Sequence, residues 1–403
     1  MNILFLNIYK PTSNASGGIA RVTCNLGNLF TENGHKCSLA YYNETNGQIE
    51  ECFESTVQLT LHKEQPLLEK LAVAHDVFII QIQMSKAYLH LVPILGQIRE
   101  RFGTKVIYCH HSVPFAEAAG YDISYLGFLL FHSNLSFKER VKWSVWCLTS
   151  IVFPGYTIRK IAERRQYITD HVDKVVLLSE SFIPVFRKYV NCPDDKVTGI
   201  GNCCTFKEKL TSKELDAKQK NVLVVANMNE HAKRISTMLH IWKKVSRLDP
   251  EAQHWKLILI GDGPDLEYYR KLSKRLKLTN CVFKGKQDPQ PYYRESSILI
   301  MASAFEGFGM VILEAQQMGC VPLVYDSYVS VHDLIDDGRN GFLIPNKKKG
   351  EYIKRLVKLM TDADMRHEIA VNCINMDNHF SSDAGILLSE QGEVSRGGVT
   401  MFG

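Results

Sequence analysis

No run of apolar residues in this chain approaches the roughly 18 needed to cross a bilayer, so no transmembrane helix is expected. No Cys-x-x-Cys pair occurs. The eleven cysteines are scattered, and Cys203 and Cys204 are direct neighbours. That usage suits free thiols in a reducing cytosol better than a disulfide framework or a zinc site. No Gly-x-Gly-x-x-Gly follows the first apolar strand, which argues against a dinucleotide-dependent dehydrogenase. No Asp-x-Asp pair suited to holding a nucleotide-bound divalent ion is apparent. Asp194-Asp195 and Asp336-Asp337 are adjacent carboxylates on expected surface turns. A concentrated basic stripe is also missing. The net charge of +5 is mild, which disfavours a nucleic-acid binder and permits attraction to small anions or an anionic membrane. The opening Met1-Asn2-Ile3-Leu4 lacks the charged segment of a signal peptide, and a cytoplasmic location is expected.

What is present is a repeated α/β pattern. A chain of 403 residues suggests two domains. Short apolar runs at Ile3–Leu6, Lys36–Tyr41, Asp76–Gln81, Lys105–Cys109 and Lys174–Leu178 are separated by helical segments. Strands apolar on both faces and joined by helices indicate a parallel sheet covered on both sides. The pattern restarts at Asn221–Ala226 and continues through Trp255–Gly261, Cys281–Phe283, Ser297–Met301 and Val321–Tyr325. The polar, Lys/Glu-rich stretch before the restart reads as a linker over residues 205–220.

The most informative segment is Glu306-Gly307-Phe308-Gly309-Met310-Val311-Ile312-Leu313-Glu314. It lies between an apolar strand and a helix stopped by Gly319. One glutamate is thus in a glycine-bearing loop at the carboxyl end of a strand, and the other is in the first two turns of the next helix. Ligands of open α/β sheets bind at such strand ends, and a helix amino terminus suits a phosphate. Two carboxylates beside an anion site fit a polyhydroxylated, phosphorylated ligand. On spacing alone, a plain βα turn with two surface carboxylates stays equally open.

The segment resembles the signature of retaining glycosyltransferases of family 4 (glycosyl transferases group 1), which have the GT-B fold. The resemblance implies two doubly wound, Rossmann-like domains facing across a cleft: an acceptor-side domain over 1–204 and a nucleotide-sugar donor domain over 221–376. It implies that Glu306 approaches the donor sugar and Glu314 binds the nucleotide ribose. The N–H groups of Phe308, Gly309 and Met310 are then candidates for donor oxygens. No obligatory metal and no other cofactor is implied, beyond a UDP- or GDP-sugar as substrate.

Other constellations align with that resemblance. Gly17-Gly18 after the first strand reads either as a plain turn or as a loop meeting donor phosphates or the acceptor. His111, in His110-His111-Ser112-Val113-Pro114, sits where the family places a histidine. Lys233-Arg234 follows the first strand of the second half, and a cation there offsets charge on a diphosphate leaving group. The family carries an arginine six residues before that lysine, and this chain has Asn227. Gly261-Asp262-Gly263-Pro264 matches a family turn near the donor. Gly338–Leu343 reads as a hairpin-like turn without chemistry.

Residues 120–168 break the alternation, being aromatic and basic. They are either a helical excursion of the first domain packed on its core or a surface for a membrane or lipid-linked acceptor. Residues 377–403 are Gly/Ser/Thr-rich and read as an irregular tail. The expected partners are a nucleotide-sugar donor and a saccharide or lipid-linked saccharide acceptor. A nucleotide-sugar-binding protein with little or no activity is the alternative, favoured by Asn227 and the tail.

Overall fold

The computed structural model describes residues 1–11, 18–45, 51–115, 121–133, 135–202, 206, 208, 210–248, 253–375, 386–388 and 394–396. By contacts the chain divides into two compact units. The first comprises Met1–Pro114, Arg159–Thr205 and Asn378–Gly403, and the second Phe115–Ile158 and Phe206–Asp377.

The first unit is built on β1 (Asn2–Tyr9), β2 (Lys36–Asn43), β3 (Phe53–Gln58), β4 (Val77–Ile80), β5 (Lys105–His110), β6 (Lys174–Leu177) and β7 (Val197–Gly199). Every pairing is parallel, in the order β3-β2-β1-β4-β5-β6-β7. Ile3, Leu4, Phe5 and Leu6 have no solvent exposure. That explains why their run is apolar at every position rather than at alternate ones. Two strands escape the sequence pattern. β3 is an edge strand with mostly exposed residues, and β7 has three residues.

The second unit repeats the design with β8 (Gln219–Val225), β9 (Lys256–Ile260), β10 (Cys281–Gly285), β11 (Ser296–Met301), β12 (Val321–Asp326) and β13 (Phe342–Pro345). Its order is β10-β9-β8-β11-β12-β13, again all parallel. Trp242 and Trp255 are fully buried in its core. The expected hairpin-like turn at Gly338–Leu343 is instead the approach to a parallel edge strand. Phe342 pairs with Leu323, and Ile344 with Tyr325. The segment read as a linker already belongs to this core, for Leu210 and Leu215 are buried in it. Thr211 and Glu214 close a capping box around the short helix between them.

The excursion was expected to belong to the first domain, whereas Phe115–Ile158 groups with the second unit. It supplies the helices Ile123–Phe131 and Phe137–Val152, the latter opened by a Ser136–Glu139 capping box. In the tail, β14 (Ile386–Leu388) and β15 (Val394–Arg396) form an antiparallel ladder.

Candidate functional site

In each sheet the strand order reverses direction between two neighbours, β1 and β4 in the first and β8 and β11 in the second. Crevices outside the carboxyl ends of such strands are where open α/β sheets place ligands. In the second unit the loop after β8 carries Lys233 and the loop after β11 carries Glu306. The two side chains form an ion pair. They are 21% and 12% exposed, so a ligand can reach them while bulk water screens them little. The Ser303 hydroxyl donates to the same Glu306 oxygen at 2.7 Å.

Local sequence explains the placement. Asn229 caps the short helix Glu230–Lys233 by accepting from the Ala232 N–H at 3.1 Å. Arg234 then turns the chain with φ +48°. The Ala304 N–H donates to the Ala232 carbonyl at 2.7 Å, joining the two loops through backbone. Gly309, at φ +96°, caps the helix Met310–Gln317. Tyr328 is buried beside this loop. Its hydroxyl would lie 3.2 Å from a Cβ on Gly309, and burial and the Glu306 charge hold its pKa well above the ordinary tyrosine value.

Glu314 has a different setting. It is fully buried on that helix, and the Tyr293 hydroxyl donates to its Oε2 at 3.0 Å. Of the three N–H donors, Phe308 belongs to a buried residue and Met310 begins the helix.

Gly261 serves packing. At φ +134°, a Cβ there would fall 1.8 Å from the Ala226 carbonyl oxygen. The Gly261–Pro264 turn is laced to the β8 loop by Met228 N–H to Asp262 carbonyl and Asp265 N–H to Met228 carbonyl, both 2.9 Å. Asn227 is exposed on this loop. Arg234 is turned toward the excursion, where it meets Asp122 Oδ2 at 3.4 Å. Lys347 reaches the same oxygen at 2.9 Å. These residues, with Tyr125, Phe128, His231 and Tyr268, line a cavity of about 570 Å³ in the second unit. Burial raises the carboxyls of Glu230 and Asp265 nearby.

The first unit holds His111 just past β5, against the Oε1 of Gln81, which follows β4. Burial lowers its pKa to about 4, so the ring is neutral at pH 7. His110 is buried within β5, held well below the usual range by burial and then by the Arg165 charge. Gly18 is the first residue of the helix Gly18–Glu32. Gly17 lies outside the described residues.

The structure thus brings together Lys233, Glu306 and the loop Phe308–Met310. It sets Glu314 inward and turns Arg234 aside. Sequence reasoning missed Ser303, although a serine three residues before a loop glutamate is a readable local signal. Tyr293, Gln81 and Asp122 gave none, since their partners are 21 to 225 residues away. Among the described residues no cluster of His, Cys, Asp and Glu could hold a metal ion. Asp362, in Asp362-Ala363-Asp364, is a helix cap.

Residues 206–376 match the family model described as Glycosyl transferases group 1. Over this stretch, less than half of the chain, the sequence is similar to that family. The matched stretch coincides with the sheet bearing Lys233 and Glu306. Over 149 residues the chain is 30% identical to a poly(glycerol-phosphate) alpha-glucosyltransferase of Bacillus subtilis, covering 36% of this chain and 22% of that protein. Over 177 residues it is 26% identical to the amylovoran biosynthesis glycosyltransferase AmsD of Erwinia amylovora, covering 42% and 48%. The chain therefore spans less than half the length of these two relatives. The HepE protein of Anabaena, solved in complex with UDP, superposes with a TM-score of 0.69 at 14% identity, covering 95% of this chain and 96% of that one. The fold is GT-B, with two parallel-sheet α/β domains. Among the described residues no helix is long and apolar enough to cross a membrane.

Proposed function

We propose that the protein is a retaining glycosyltransferase that moves a sugar from a UDP- or GDP-sugar to a hydroxyl of a saccharide or lipid-linked saccharide. The observation that carries this reading is the Lys233–Glu306 pair on the segments that follow the two strands flanking the second sheet's reversal, beside a helix amino terminus. A bound diphosphate would take over Lys233 and the N–H groups of Phe308, Gly309 and Met310. Glu306, released from the lysine and held by Ser303, would face the donor sugar and offset positive charge as the bond to the leaving diphosphate breaks. Glu314 would accept from the ribose hydroxyls. The Tyr293 hydroxyl, donating at 3.0 Å, orients that carboxylate. Arg234, engaged with Asp122, is assigned to shaping the loop with a secondary role toward phosphate. Gly17-Gly18 would serve the donor phosphates, and His111 would act at the reacting sugar.

The relatives' names, one for poly(glycerol-phosphate) and one for amylovoran biosynthesis, support a hydroxyl-bearing polymer as acceptor, and UDP in HepE supports a nucleotide donor. The protein would work in the cytoplasm, peripherally at the inner face of the membrane, without an obligatory metal. Incubation with UDP- and GDP-sugars, with and without acceptors, should release nucleoside diphosphate at a rate unaltered by EDTA. Proton NMR of the product should show the donor's anomeric configuration. Donor binding without turnover across a broad acceptor panel would favour the non-catalytic alternative, as Asn227 does.

A further inference from the structure

Among the described residues, twelve of the twenty exposed large hydrophobic side chains fall between Ile123 and Tyr167. Their arrangement is ordered. On the helix Phe137–Val152, residues Phe137, Val141, Val145, Leu148 and Val152 recur at spacings of four, four, three and four. At 100° per residue that is a single stripe about 80° wide along a rod of about 24 Å. Phe137 is 80% exposed and Val145 58%. The opposite side, at Cys147 and Ser150, is the buried one. Phe153 and Tyr156 extend the exposed apolar surface past the helix end.

Charge selects the occupant. Lys138 and Lys142 border the stripe, both exposed. Along the helix the chain has three basic residues (Lys138, Arg140, Lys142) against one acidic, Glu139. A second copy of this helix would bring like charges together, and the first spacing of four breaks the heptad that a paired coil needs. An anionic bilayer satisfies both features, taking apolar side chains into the acyl boundary and lysines at the headgroups.

We propose that the helix Phe137–Val152 lies flat on an anionic membrane, with Phe137, Val141, Val145, Leu148 and Val152 inserted and Lys138 and Lys142 at the phosphates. This deepens the peripheral placement proposed above and rests on it. It does not depend on which sugar is transferred.

The test is flotation of the full chain with phosphatidylcholine vesicles, with and without phosphatidylglycerol. Wild type should bind the anionic vesicles. The double variant Val145→Glu/Leu148→Glu should lose roughly tenfold or more of that binding. Lys138→Ala and Lys142→Ala should each lose about fivefold. Should the glutamate variant fail to fold, a fluorophore on Leu148→Cys reads the same contact. It should be quenched by spin-labelled lipid tails in anionic vesicles, and an unquenched label would overturn the contact. Wild-type binding with undiminished binding by the stripe variants overturns this assignment and leaves the peripheral placement standing. No wild-type binding removes both. A dimer in lipid-free buffer that Val145→Glu dissolves would make the face a self-interface and overturn the proposal.

Discussion

The two sheets share one strand order over their first six strands, yet the side chains past β4 and β5 differ in character from those past β8 and β11. In the first unit the ends of β4 and β5 carry neutral side chains, while an ion pair, Lys10 with Glu44 at 3.0 Å, lies past β1 and β2. His111 rests on Gln81, and burial keeps both His110 and His111 from charging. In the second unit the strand ends carry an ion pair, Lys233 with Glu306, and behind it two carboxyls raised by burial. The shared scaffold accounts for where ligands can sit. The loops account for what differs: on the reading proposed above, the neutral histidine and glutamine would suit hydroxyls and the ion pair a charged leaving group.

The comparison breaks first at Glu306. Glu306→Ala should reduce turnover about a hundredfold or more with little change in melting temperature. Full activity in that variant would remove the second unit's chemical distinction. Gly261→Ala should act on the fold instead. The added carbon meets the Ala226 carbonyl oxygen and strains a positive φ, costing about 3 kcal/mol of stability. Urea unfolding reads this, and an unshifted midpoint would contradict the packing role. Glu314→Ala should combine milder forms of both effects, since it removes a buried carboxylate from Tyr293. We expect a loss of about 1–3 kcal/mol together with a raised KM for the donor and a nearly unchanged kcat. A large fall in kcat at unchanged KM would reassign Glu314.

The smallest effect is on pH dependence, and it has opposite signs for His111 and for the Glu230 and Asp265 carboxyls. His111 is shifted from 6.5 to about 4, so between those values the unfolded chain binds a proton that the folded first unit refuses. Stability there falls as pH drops through that window, by at most about 1.4 kcal/mol per pH unit for each such histidine. Glu230 and Asp265 are raised, so the folded second unit keeps protons that the unfolded chain has released. Their contribution is present at low pH and is lost as pH rises through the raised values. Calorimetry between pH 7 and 5 should show the transitions of the two units drawing apart, the first descending. Parallel shifts would contradict the contrast.

Much of this was legible in the sequence. Continuous apolar runs such as Ile298-Leu299-Ile300 announce buried parallel strands, and the Glu306–Glu314 segment announces its own strand, loop and helix. β13 was not legible, because its strand character depends on β12 beside it and the preceding Gly338 and Gly341 dominate the local signal. The Lys233–Glu306 pair spans 73 residues and emerges only when β11 is laid next to β8. Glu314's burial was equally hidden, since the residue that covers it, Tyr293, arrives from another helix. The two faces of the excursion were visible as alternatives but could not be told apart without burial.

The backbone bond from the Ala304 N–H to the Ala232 carbonyl has a kinetic meaning. It stitches the cationic loop to the acidic one at the main chain, so the two cannot drift independently when their side chains exchange partners. On the reading proposed above, loading a donor would exchange the side-chain partners of one lysine and one glutamate without rearranging the two loops. The amide of Ala304 should consequently be among the slow-exchanging protons of its neighbourhood in deuterium oxide, whether or not a donor is present.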